Sequence, residues 1–145
     1  MFPLVELNCI ADEDELVADI SSELCQYRLY FAWSEQIRAI NFTITFDLKF
    51  PTFKSIQIYE LLARINEKLW IGHFDVTSKN GIPAFRHTVL APDSNEILYH
   101  QIEDLVDIAI YECEKYYPAF QLILFEEGHP QEAIKLCLIE AEGNA

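Results

Sequence analysis

Ile40-Asn41-Phe42-Thr43-Ile44-Thr45-Phe46-Asp47-Leu48-Lys49-Phe50 alternates apolar and polar side chains without a break. Successive side chains of a strand point to opposite sides, so this pattern predicts a strand with one buried and one wet face. Upstream, Tyr27, Leu29, Phe31 and Trp33 alternate with Arg28, Tyr30 and Ala32, and Ser34-Glu35-Gln36-Ile37-Arg38 supplies a connection of hairpin length. Pairing Trp33 with Ile40, Phe31 with Phe42 and Leu29 with Ile44 puts every large side chain on one face. A slip of one residue would turn one of the two sets into water.

Working outward, Ala11-Asp12-Glu13-Asp14 reads as an acidic turn ahead of a short strand, Glu15 to Ile20. On the other side Pro51 ends the long strand, and Thr52 is placed to cap a helix through about Leu69 with Ile58, Leu61, Leu62, Ile65 and Leu69 as its apolar stripe. Glu60 and Arg64 form an i,i+4 pair on its flank. Two strands follow, Trp70 to Thr77 and Ala84 to Leu90, around Asn80-Gly81, a pair suited to tight hairpin turns. Setting Lys79 opposite Ile82 brings Asp75 opposite Arg86, Phe74 opposite His87 and Val76 opposite Phe85.

Asp93-Ser94-Asn95-Glu96 offers a capped start to a long helix with Leu98, Ile102, Leu105, Ala109 and Cys113 inward. Tyr116-Tyr117-Pro118 is expected to kink or break it. The run from Ala119 to Phe125 has no clear period, and Pro130 opens a last helix through about Glu140. The order βββ-α-ββ-α(α) predicts an α+β protein, an antiparallel sheet of about five strands with helices on one face. No repeat, low-complexity tract or Pro/Gly-rich linker interrupts residues 1–145, which read as a single domain.

Composition narrows the partners. The 145 residues are 51% apolar and 13% aromatic, ample for a core, and ten Lys and Arg against 24 Asp and Glu give a formal charge of −14. That charge repels phosphate backbones and anionic lipid, which argues against nucleic acid and membrane partners, and it draws basic segments to the surface. No apolar stretch approaches the roughly 20 residues that span a bilayer. The first residues lack the basic and apolar regions of a secretory signal, so the cytoplasm is expected.

Site chemistry is sparse. Cys9, Cys25, Cys113 and Cys137 are widely spaced with no C-x-x-C pair, so they read as structural thiols and no metal is expected. Among the histidines, His73 and His87 share a hairpin but point to opposite faces. His73 beside Asp75 could form a small acid/base pair, although a surface His next to a carboxylate is more often structural. Asp75 with Arg86 reads as a cross-strand ion pair worth less than about 1 kcal/mol when exposed. The glycines, Gly72, Gly81, Gly128 and Gly143, form no phosphate cradle, and no cofactor is expected. The aromatics exceed what one small core plainly needs. Trp33, Trp70, Tyr116, Tyr117 and Phe120, together with His73, Asp75 and Arg86, are therefore the candidate interaction surface.

The runs Tyr27-Arg28-Leu29-Tyr30-Phe31-Ala32-Trp33, Phe46-Asp47-Leu48-Lys49, Ile65-Asn66-Glu67-Lys68-Leu69-Trp70-Ile71-Gly72-His73-Phe74-Asp75, Phe85-Arg86-His87 and Tyr116-Tyr117-Pro118-Ala119-Phe120 resemble the bacterial YbjN family, in this order and from about Glu15 to Leu138. The resemblance implies a sensory-transduction regulator with a fold similar to type III secretion chaperones, which are small acidic α+β proteins, commonly dimeric, that hold extended client segments. It implies no catalytic residues. Family members usually begin with a helix ahead of the first strand. Here about ten residues precede the acidic turn, so that helix is expected to be shortened or missing. The functional expectation is a non-enzymatic module, chaperone-like or regulatory, that forms a homodimer and holds another polypeptide. The alternative is a small-ligand sensor or cryptic enzyme using His73, Asp75 and Arg86.

Overall fold

The computed structural model describes residues 8–12, 14–126 and 128–143, with side chains described for 14–126 and 128–138. The β3 (Gln26–Ser34) and β4 (Ala39–Thr45) strands form the central hairpin, with Trp33 opposite Ile40, Phe31 opposite Phe42 and Leu29 opposite Ile44. This is the register that alternation demands. Burial alternates beyond the ladder as well: Phe46, Leu48 and Phe50 are all buried although β4 ends at Thr45. The neighbouring strand explains the stop, because the position after Ala84 is Pro83, which has no N–H to donate.

Among the described residues six antiparallel strands make one sheet in the order β1-β2-β3-β4-β6-β5, where β1 is Asn8–Asp12, β2 Glu15–Ser21, β5 His73–Val76 and β6 Pro83–Leu90. The α+β architecture is the expected one. An added strand, β1, occupies part of the predicted acidic turn, pairing Asp12 with Glu15 and Asn8 with Asp19. The question of a leading helix falls on residues 1–7, outside the described residues.

The second hairpin is shifted by two residues from the expected pairing: Phe74 lies opposite Phe85 and His73 opposite Arg86. The turn chemistry sets this. Gly81 is left-handed at φ 66°, whereas Asn80 is not among the residues of positive φ, so the two-residue turn that needs both is not formed. Thr77 closes a longer loop instead, its N–H donating to Ile82 O at 3.2 Å and its carbonyl accepting from Gly81 N at 2.7 Å. An even shift leaves each side chain on its predicted face. The strand also starts later than expected, at His73, because Gly72 turns the chain at φ 69° and leaves Trp70 outside the ladder.

Among the described residues three helices cover one face. A 3-10 turn, Thr52–Lys54, leads into α1 (Ser55–Asn66), followed by α2 (Asn95–Phe125) and α3 (Pro130–Gly143). Thr52 does not cap α1: its carbonyl accepts from Ser55 Oγ at 2.6 Å, and the Lys54 side chain at the N-cap donates not to the helix start but to Ile123 O at 2.6 Å. At α2 the cap is Ser94, whose Oγ accepts from Ile97 N at 3.3 Å. Helix α2 runs through Pro118 without breaking. Proline costs about 3 kcal/mol inside a helix, but burying Phe120 and Ile123 just beyond it returns roughly 1.5–3 kcal/mol each.

The core is strongly aromatic. Phe120 packs on Phe46, Phe50 and Phe74 at centroid distances of 5.3, 6.1 and 5.7 Å, and Phe74 also meets Phe85 at 5.4 Å. One edge of the sheet is closed locally. The Asn66 amide accepts from Phe74 N at 2.7 Å and donates to Phe74 O at 3.0 Å, standing in for a further strand along β5.

On α2, Glu112 is half-buried with Oε2 lacking a hydrogen-bond partner, and burial raises its pKa against the opposing pull of Lys115. A carboxyl whose pKa is raised by folding contributes stability below its unfolded value that is lost as pH rises through the folded value. Glu112→Gln is therefore expected to melt higher than the parent at pH 7, with the gap closing below the ordinary Glu value of 4.5. A pH series of thermal melts checks this.

Candidate functional site

The sequence candidates divide by burial. Tyr116, Tyr117 and Phe120 cannot form a contact surface, because all three are buried among the core aromatics. Their spacing on α2 turns them to the side that meets the sheet. Burial pushes the Tyr116 phenol up to about 12 and, with the nearby Asp47 charge, the Tyr117 phenol to about 12. Trp70 stands at the other extreme, 101% exposed in the turn before β5. Trp33 is half-buried near the β3 end, its Nε1 donating to Glu35 at 2.8 Å and its ring lying 5.8 Å from the Arg38 guanidinium.

His73, Asp75 and Arg86 do share the open face of the sheet. Asp75 is engaged by Arg86 at 3.3 Å, on the diagonal created by the shifted register, which makes the ion pair the principal use of that carboxylate. His87 lies on the opposite face, opposite Phe42, and burial followed by the His73 charge lowers its pKa. The two imidazoles do not converge. Thiol chemistry is suppressed as well: Cys25, Cys113 and Cys137 are buried, with burial pushing Cys25 up to about 12 and Cys113 well above its ordinary value. At neutral pH Cys25 and Cys113 are therefore thiols, the unreactive form. Among the described residues, no three of His, Cys, Asp or Glu gather closely enough to hold a metal ion.

Two features escaped the sequence reading. Helix α1 buries Ile58, Leu61 and Ile65, yet its outward side also carries apolar groups. Ile56 is 81% and Tyr59 54% exposed, with Phe53 80% exposed in the preceding turn. Ile56, Tyr59 and Ala63 follow i, i+3, i+7 spacing, so a second stripe opposite the buried one was legible. The other feature is a cleft of about 480 Å³ on the open face, formed where β2, β3 and β4 meet Ile82. Its floor consists of cross-strand neighbours that no linear motif brings together.

An acidic chain with a six-stranded antiparallel sheet, helices on one face and exposed apolar groups on α1 belongs to the class of small α+β domains. The family model of YbjN, described as "Putative bacterial sensory transduction regulator", matches residues 9–122, and the chain belongs to this family. No curated protein and no solved structure matches it. No helix among the described residues is long and apolar enough to cross a membrane.

Proposed function

We propose that this chain is a cytoplasmic, non-enzymatic module of regulatory or chaperone-like kind that holds a basic segment of a partner polypeptide. The supporting observation is the outward stripe of α1. Single exposed apolar residues are ordinary on protein surfaces, but Ile56 and Tyr59 share the outward side of α1 with Phe53 exposed in the turn just before it, and Phe53 and Ile56 each forgo roughly 1.5–3 kcal/mol of burial by remaining in water. A net charge of −14 favours a partner that brings Lys and Arg around an apolar contact.

The test compares the parent with Ile56→Glu as bait in bacterial lysate at low and moderate salt. A protein recovered by the parent and lost, tenfold or more, with Ile56→Glu supports the reading, since one buried charge costs more than the 1.4 kcal/mol that tenfold represents. Equal recovery by both baits, or no partner at either salt, overturns it. The module is further proposed to be a homodimer. Light scattering is expected to give twice the mass of the chain, and a monomer at micromolar concentration overturns that part.

A further inference from the structure

The cleft on the open face has a composition that selects for charge. Two cross-strand rows form its floor: Asp19, Arg28 and Thr45 in one, with Asp19 opposite Arg28 and Arg28 opposite Thr45, and Ser21, Gln26 and Asp47 beside it. Tyr30 and Ile82 are among the further residues that line it. The guanidinium is already occupied. Arg28 Nε meets Asp19 Oδ1 at 2.8 Å and Nη2 meets Oδ2 at 3.3 Å, a two-point pairing that lowers the Asp19 pKa and raises that of Arg28.

Asp47 is in a different position. Its Oδ2 accepts from Gln26 N at 3.3 Å and its Oδ1 from the Tyr117 hydroxyl at 3.4 Å, both long bonds from neutral donors. Among the described residues no Lys, Arg or His pairs with it. The cleft thus holds two carboxylates against one cation, which already pairs with one of them, inside a molecule of charge −14. An incoming anion would meet an engaged Arg and an unfavourable field. An incoming cation would meet a carboxylate with free lone pairs, the Gln26 amide and the Thr45 hydroxyl as further acceptors, and Ile82 for an alkyl chain.

We propose that this cleft binds a small alkylammonium ion, such as a short aliphatic diamine, with an ammonium on Asp47 and its methylenes along Ile82. The volume of about 480 Å³ lies within the range of roughly 300–1,000 Å³ usual for small-molecule sites. The site is separate from the outward stripe of α1 and does not depend on the proposed protein contact.

Amide chemical shifts of the full chain during titration with 1,4-diaminobutane, at constant ionic strength, test the proposal. Saturable shifts concentrated at Ser21, Gln26, Asp47 and Ile82 are expected, with 1,4-butanediol and succinate giving none. Asp47→Asn keeps the side chain's shape and should weaken binding about tenfold, by loss of a charge-assisted contact. Glu103→Gln, a change at an exposed helix position, should leave it unaltered. Shifts that fail to saturate, that spread evenly over the acidic surface, or that survive Asp47→Asn overturn the assignment, as does stronger binding of succinate.

Discussion

Phe120→Ala is expected to cost about 3–5 kcal/mol of folding stability, the range for deleting a large buried aromatic. Phe120 is fully buried beyond Pro118 and touches Phe46 and Phe50 of the long strand segment and Phe74 of β5, two separate parts of the chain. Truncation would open a cavity at the junction of α2 with the sheet, and the surrounding rings cannot close it without leaving their edge-on contacts. Because whole domains are stable by only about 5–15 kcal/mol, urea unfolding should show a much lower midpoint. A loss below about 1 kcal/mol would mean that Phe120 lies on the surface after all, and the aromatic junction would be wrong.

Gly81→Ala is the second large effect, expected to cost about 2–5 kcal/mol from a left-handed backbone penalty and a steric one. Gly81 holds φ 66°, and a Cβ there would fall onto the Phe50 carbonyl oxygen. The close approach is structural: Phe50 N donates to Gly81 O at 2.7 Å, tying the end of the long strand segment to the β5–β6 loop. Backbone on one side and a buried Phe50 on the other leave little room to yield. Asn80→Ala, one residue earlier at an exposed position, should change stability by no more than about 0.5 kcal/mol. Equal midpoints for the two variants in urea would contradict the loop geometry.

These two positions mark different limits of reading from sequence. Gly81 was recognisable as a turn residue, but the alternation of the flanking strands could not choose between pairings that differ by two residues. Both keep Phe74 and Phe85 inward. The Thr77 carbonyl and hydroxyl, which accept from Gly81 N at 2.7 Å and Ile82 N at 3.3 Å, made that choice through the loop. Phe120 belonged to an aromatic run without a clear period, next to a proline, and local pattern could not say whether the run was core or contact surface. Trp70 and His73 were legible as accessible positions, whereas Asp47 gained its interest only from neighbours on other strands.

Sequence by itself determined the alternating β3–β4 hairpin and its pairing, because any odd shift would expose a full row of Phe, Ile and Leu to water. It also determined the acidic character and the helical stripes that face the sheet. Tertiary structure alone decided the second register, the passage of α2 through Pro118, and which aromatics are buried. Those outcomes depend on surfaces contributed by distant segments, whose burial outweighs local preference where the two disagree.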